Sequence, residues 1–199
     1  MIIHTMPQRT EEWYDIRRGK MTASNAAAIA TGGKGLETYI YQILAEKYSS
    51  NRDPGYCSQD KMRGIELEDQ ARQTYEIERE EVKQVGFVEM DEFTGCSPDG
   101  LVGDMGGIEI KCPNDANYFR LLVDGDKAID TRYIWQVQMA MLITGRERWD
   151  IINYNPNFDQ NMVGTRIERD REKQEKLIIG IARGKKLIQE LTQKYEHSN

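Results

Sequence analysis

The sequence predicts an α/β domain in which a mixed central β-sheet is flanked by α-helices. Three observations carry that expectation. Along 199 residues the segments follow the order helices, strands, helix, helix, two strands, helix. At the middle of the chain, Ile108-Glu109-Ile110-Lys111 alternates apolar and charged residues behind a glycine-rich reversal, which is strand periodicity. Around it lie long stretches with apolar residues every three or four positions. The length suits one full hydrophobic core, and no linker divides it, so residues 1–199 are expected to form one domain.

The elements follow in order. After a short N-terminal tail, Thr10–Gly19 reads as a helix: Thr10 caps it, Glu11 and Glu12 fill its first turn, and Arg17 and Arg18 its last. Trp13 and Ile16 point inward. A second helix starts at Thr22 or Ser24, whose hydroxyls suit free backbone N–H groups and, at such an end, a phosphate. Thr31–Gly35 reads as a loop with Lys34 at its tip. Leu36–Tyr48 is amphipathic, with Leu36, Tyr39, Ile40, Ile43, Leu44 and Tyr48 on one side. Ser49–Gln59, with Pro54 and Gly55, reads as a loop. A long helix over Lys61–Glu80 sets Ile65, Glu68, Arg72 and Tyr75 on one core-facing stripe.

Val82–Met90 reads as a strand that turns at Asp91-Glu92 and returns antiparallel over Phe93–Ser97. Helices are expected at Asn114–Val123 and Ile129–Ile143, strands at Trp149–Tyr154 and Met162–Ile167. Asp170–Tyr195 closes the chain as a charged helix with Leu177, Ile178, Ile181, Leu187 and Leu191 inward.

Composition narrows the class. Charged residues make up 30% of the chain and hydrophobic ones 39%, an ordinary globular balance. No apolar run approaches the ~20 residues of a membrane helix, and no signal-peptide region opens the chain, so an intracellular protein without membrane attachment is expected. Cys57, Cys96 and Cys112 fit neither a zinc site nor a disulfide framework, which favours reduced thiols in a cytoplasm. They are also too few for a four-cysteine iron–sulfur cluster. The net charge of −6 argues against a uniformly basic DNA-coating surface. A cleft that concentrates its positive charge locally remains open.

The chemistry converges on Thr94–Pro113. Asp99 lies in a Pro-Asp-Gly turn, and a short hairpin leads to Glu109-Ile110-Lys111. Side chains two apart on a strand share a face, so Glu109 and Lys111 project together, and the hairpin can bring Asp99 beside them. Two carboxylates and an ammonium at a sheet edge suit a divalent metal and the charge of a phosphate. Glu68 has two readings: an i,i+4 partner of Arg72, or an inward carboxylate that needs a metal or a proton to compensate it.

The pattern Pro-Asp, spacer, Asp/Glu-x-Lys resembles the PD-(D/E)xK nuclease superfamily. More closely, Arg17-Arg18-Gly19-x-x-Thr22-Ala23-Ser24, Gly64-x-x-x-Glu68-x-x-Ala71-Arg72, Cys96-Ser97-Pro98-Asp99-Gly100-Leu101, Glu109-Ile110-Lys111-Cys112-Pro113 and Gln136-Val137-Gln138 recur in one order. This set is similar to that of the lambda-exonuclease (phage-type alkaline exonuclease, YqaJ-like) family, over roughly Trp13 to Tyr154. The resemblance implies a restriction-endonuclease-like core. It also implies an enzyme that degrades one strand of linear double-stranded DNA from its 5′ end to nucleoside 5′-monophosphates, leaving 3′ single-stranded tails for recombination.

By the same resemblance, Asp99, Glu109 and the backbone carbonyl of Ile110 would ligate one or two Mg²⁺ ions, with Mn²⁺ a plausible substitute. Glu68 would support them directly or through water. Lys111 would position or help deprotonate the attacking water. Arg17, Ser24, Ser97 and Gln136 would bind the terminal 5′-phosphate. The family implies a homotrimeric ring around DNA, a single-strand annealing protein as partner, and a phage or prophage role in the bacterial cytoplasm. Two other readings stay open from the residues: an endonuclease of the same superfamily, and a non-catalytic DNA-end-binding recombination protein.

Overall fold

The computed structural model describes residues 1–50 and 59–198. The loop expected around Pro54 and Gly55, and Cys57 with it, lies outside the described residues. The elements are β1 (Ile2–His4), α1 (Glu11–Arg17), β2 (Met21–Thr22), a 3₁₀ turn (Ala23–Asn25), α2 (Ala26–Thr31), α3 (Gly33–Tyr48) and α4 (Gln59–Glu78). There follow β3 (Val82–Lys83), β4 (Phe87–Asp91), β5 (Thr94–Cys96), β6 (Gly100–Val102) and β7 (Gly106–Lys111). The chain ends with α5 (Asp115–Asp124), a second 3₁₀ turn (Gly125–Ala128), α6 (Thr131–Thr144), β8 (Arg148–Tyr154), β9 (Met162–Glu168) and α7 (Arg171–His197).

The α/β class and the helical flanks are as expected, but the strands form two mixed sheets rather than one. The larger runs β3-β6-β7-β8-β9 and the smaller β1-β4-β5-β2. The expected strand Val82–Met90 is split between them, because Val82 pairs with Val102 in the larger sheet while Phe87 pairs with His4 in the smaller. The N-terminal residues are no tail: β1 pairs antiparallel with β4, and the His4 ring contacts the Glu89 carboxylate at 3.0 Å.

The larger sheet is covered on both faces. Ile108, Ile110, Ile152 and Tyr154 pack against Ala71 and Tyr75 of α4. Trp149 and Ile151 point the other way, into the core built with α2, α3, α6 and α7. Alternation along β7 therefore turns Ile108 and Ile110 toward α4 and leaves Glu109 on the face that α6 covers.

Several local expectations are corrected. Met21–Thr22 is a strand beside β5, so the Thr22 and Ser24 hydroxyls cap no helix and bond to each other instead, at 3.1 Å. Gly33, Lys34 and Gly35 belong to α3, not to a loop. On α4, Ile65 is exposed while Arg72 and Tyr75 are buried. On α7 the inward stripe is Gln174, Leu177, Ile181, Gly184 and Ile188, and Ile178 is 53% exposed. The reason is close approach: a Cβ on Gly180 would stand 2.0 Å from the Ile29 carbonyl oxygen of α2, so these glycines, not Ile178, mark the contact line. The apolar side expected for Leu36–Tyr48 is buried as expected apart from half-buried Tyr48.

Candidate active site

The C-terminal end of β7 supplies the centre of the site. β6 begins at Gly100, which pairs with Ile108, so beyond Ile108 that edge of β7 has no strand partner and Asp99 fills the gap. Asp99 Oδ2 accepts the Ile110 N–H at 2.6 Å. The N–H and C=O of one strand residue point to the same edge, so the Ile110 carbonyl faces Asp99's side. Glu109 is 4% exposed, and its Oε1 accepts from Lys111 Nζ at 2.6 Å and from Gln136 Nε2 of α6 at 2.6 Å. Lys111 Nζ also lies 4.5 Å from the centre of the Tyr133 ring.

Glu68 is the i,i+4 partner of Arg72 that the sequence offered, and arginines rather than a proton compensate it. Arg72 donates to its Oε1 at 2.8 Å and Arg9 pairs with Oε2, yet Glu68 lines the same cavity as Asp99 and Glu109. Arg72 also donates to the Asp99 carbonyl at 3.2 Å, so α4 braces the turn that carries Asp99.

The electrostatics are those of a crowded acidic centre. Burial pushes the Asp99 carboxyl well above the ordinary carboxylate range, and the nearby charges of Glu109 and Glu68 push it further. For Lys111, burial pulls downward, but Glu109 and Asp99 outweigh it and hold the ammonium above its ordinary value. Neighbouring carboxylates that raise one another's cost are relieved by a cation. The donor set of hard carboxylate and carbonyl oxygens suits Mg²⁺, which keeps several waters rather than demanding an all-protein cage. Among the described residues, no group of three or more His, Cys, Asp or Glu side chains is gathered as a metal site.

A second cluster lies in the same cavity of about 610 Å³. Arg17 at the end of α1 donates to Ser97 Oγ at 2.6 Å, and Trp13 Nε1 donates to the same oxygen at 3.0 Å. The Arg17 guanidinium stacks 4.2 Å from the Trp13 ring centre. Burial lowers its pKa, and no carboxylate among the described residues forms an ion pair with it. A half-buried guanidinium without a counter-ion has donors free to receive an anion.

All nine predicted positions (Arg17, Ser24, Glu68, Ser97, Asp99, Glu109, Ile110, Lys111 and Gln136) line this cavity. Two differ from expectation in their contacts. Gln136 touches Glu109 rather than Arg17 or Ser97. Ser24 is exposed, lines the cavity and bonds Thr22 at 3.1 Å rather than Arg17. Sequence reasoning passed over Trp13 as a core residue, and it missed Arg9, Tyr133 and Asn153. Of these only Trp13 had a signal, its i,i+4 spacing to Arg17.

Known proteins share this fold. Two crystal structures of LHK-Exo, an alkaline exonuclease from Laribacter hongkongensis, one in complex with dAMP, superpose with a TM-score of 0.80 at 34% identity, covering 96% of this chain and 100% of theirs. A phage-related exonuclease from Haemophilus somnus 129PT shares the fold, with a TM-score of 0.70 at 16% identity over 92% of this chain and 99% of that one. No curated protein matches the sequence. These likenesses bear out the PD-(D/E)xK restriction-endonuclease-like core. The YqaJ-like viral recombinase domain matches residues 12–147, about two thirds of the sequence, and the chain belongs to that family.

Proposed function

We propose that this protein is a Mg²⁺-dependent exonuclease that degrades one strand of linear double-stranded DNA from its 5′ end. It releases nucleoside 5′-monophosphates and leaves 3′ single-stranded tails for recombination. The observation that carries this reading is the unpaired Arg17 guanidinium, bonded to Ser97 in the same cavity as Asp99, Glu109 and Lys111. A terminal phosphate held there sets the next phosphodiester before the carboxylates, whereas an endonuclease has no terminal phosphate to capture.

Asp99, Glu109 and the Ile110 carbonyl would hold the cation, and Glu68, both of whose oxygens are engaged by arginines, would act through water. A bound Mg²⁺ (or Mn²⁺), as one ion or two, acts as a Lewis acid on the phosphate and lowers the pKa of water. Lys111 orients the attacking water and stabilises the negative charge that gathers on the phosphate. Gln136 fixes the Glu109 carboxylate through its 2.6 Å hydrogen bond. Attack at phosphorus with departure of the 3′ oxygen frees a nucleoside 5′-monophosphate. It also leaves a new 5′-phosphate on the shortened strand, and Arg17 can capture that group in turn.

The family resemblance supports a homotrimeric ring around the duplex, with a single-strand annealing protein as partner in a bacterial cytoplasm. No helix among the described residues is long and apolar enough to cross a membrane. The test is digestion of linear duplexes labelled at one 5′ or 3′ end, with and without 5′-phosphate, beside a closed circular duplex. Early release of the 5′ label, a preference for phosphorylated ends and survival of the circle support the proposal. A nicked circle would make the protein an endonuclease. No digestion by the Mg²⁺-loaded protein would leave the end-binding reading.

A further inference from the structure

We propose that Arg9 binds an internucleotide phosphate of the duplex, a second phosphate contact besides the terminal one at Arg17; the inference rests on the exonuclease reading above. Arg9 lines the cavity and its side chain is 38% exposed, so a ligand in the cavity can reach it. The guanidinium is aimed rather than loose. Its Nη2 pairs with Glu68 Oε2, and buried Arg72 holds the other oxygen of Glu68 at 2.8 Å. Arg9 Nε and Nη1 have no acceptor among the described residues. A guanidinium fixed along one side therefore presents its remaining N–H groups to the cavity.

The backbone supplies an independent observation. Arg9 is the one non-glycine among the described residues with a positive φ, 69°. Glycine takes that conformation freely, whereas an L side chain is strained in it. Its neighbours hold it there: Gln8 Nε2 donates to the Pro98 and Val85 carbonyls at 2.8 and 3.2 Å. Thr10 Oγ donates to the Pro7 carbonyl at 2.9 Å and accepts the Trp13 N–H that it caps at 3.3 Å. Arg9 is thus tied to the turn that carries Asp99. Its ion pair does not account for the strain, because a partly exposed pair contributes little and Glu68 already has Arg72. Strain kept at a site points to what the side chain does there. Arg9 and Arg17 leave from opposite ends of α1, whose seven residues span about 10 Å, and they turn to different partners. With the terminal phosphate on Arg17, the anion left for Arg9 is a backbone phosphate farther along the duplex, which suits planar charged donors.

The experiment uses the full chain with Arg9→Gly, which suits the backbone and removes the guanidinium, and Arg9→Lys, which keeps the charge. Melting temperature is measured, with kcat/KM on 5′-phosphorylated and 5′-hydroxyl linear duplexes in Mg²⁺ at several NaCl concentrations. The same changes in a Lys111→Ala background, which spares the duplex, give affinity by fluorescence anisotropy. Arg9→Gly is expected to hold or raise the melting temperature while affinity and kcat/KM fall roughly tenfold, on duplexes of different sequence alike. Its slope of log affinity against log salt should become shallower by about one. Arg9→Lys should restore the slope and part of the affinity. The preference for 5′-phosphorylated ends should keep its wild-type value, which separates Arg9 from Arg17. An unchanged salt slope, a loss confined to one duplex sequence, or a lost end preference overturns the proposal. So does a lowered melting temperature with unchanged affinity, the mark of a purely structural ion pair. A wild-type protein that digests no linear duplex fails the exonuclease reading and this proposal together. Digestion by the wild type, matched in rate and salt slope by both variants, fails this proposal alone.

Discussion

Asp99 and Ile110 are joined by a 2.6 Å hydrogen bond from a strand N–H to a carboxylate oxygen, and that bond fixes one acidic group against the strand that carries the other. The bond favours an ionised Asp99, but burial and the charges of Glu109 and Glu68 dominate and raise its pKa. A carboxyl raised on folding costs stability at neutral pH: its folded form favours the proton, so stability falls as pH climbs from the unfolded value toward the folded one. Asp99→Asn is therefore expected to raise the melting temperature in metal-free buffer near pH 7 while abolishing cleavage. Mg²⁺ should stabilise the wild type by about 2.7 kcal/mol at a hundredfold excess over its Kd and leave the variant nearly unmoved. Thermal scans with and without Mg²⁺ check both halves. A variant destabilised in metal-free buffer would make Asp99 a structural residue.

Arg17 has a hydroxyl partner in Ser97 and no carboxylate partner among the described residues. Arg17→Ala should lower the preference for 5′-phosphorylated over 5′-hydroxyl ends by about tenfold or more, because a hydrogen bond to a charged group is worth about 1.5–3 kcal/mol. Arg17→Lys should recover only part of it, since an ammonium lacks the two-pronged donor geometry and the flat stacking surface that Trp13 meets at 4.2 Å. The measurement is the ratio of initial rates on the two ends. An unchanged ratio removes Arg17 from the phosphate pocket.

Lys111 and Glu109 form a 2.6 Å ion pair inside the cavity. Lys111→Ala should abolish cleavage and preserve Mg²⁺-dependent binding to duplex ends, because the carboxylates that would hold the cation remain. Fluorescence anisotropy on a labelled duplex reads binding separately from turnover. Loss of the folded circular-dichroism signal instead would assign Lys111 to the fold.

The acidic centre was legible in the sequence because it is local. Asp99, Glu109 and Lys111 sit on one hairpin, where the period-two rule of a strand gives their faces directly. The α3 stripe was legible for the same reason. What was not legible depends on contacts between distant segments. Phe87 and Val82 belong to different sheets only because β1 and β6 compete for neighbouring residues of one apolar run. Thr22 reads as a cap until β5 pairs with Met21–Thr22 and makes a strand of it. Gln136 is placed by the packing of α6 over β7, so its bond to Glu109 has no sequence period behind it. Asn153 carries no local sign at all, since an asparagine between Ile152 and Tyr154 reads as an ordinary interruption of a strand.

Away from the site, Asp150 gives the fold an acid-sensitive point. It is 2% exposed on β8, accepts from Tyr75 Oη at 2.9 Å, and receives Arg166 at both oxygens, at 2.8 and 2.9 Å. Burial alone would raise its pKa, but the bonds from Arg166 and Tyr75 outweigh that and lower it. A carboxyl lowered on folding contributes stability above its unfolded value of about 3.9, and that stability drains away as pH falls through the folded value. Asp150→Asn keeps the shape and one acceptor for Tyr75 but loses the ion pair. Arg166 is 42% exposed and can rehydrate, so the loss should stay near about 1–3 kcal/mol rather than the larger cost of stranding a fully buried charge. For a chain of this size that is roughly 2–4 °C of melting temperature per kcal/mol. The gap between wild type and variant should be full at pH 7, narrow as pH falls below about 4, where the unfolded chain takes up the proton, and close as pH falls through the lower folded value. A gap that stays constant down to pH 3 would mean that Asp150 acts through its shape rather than its charge.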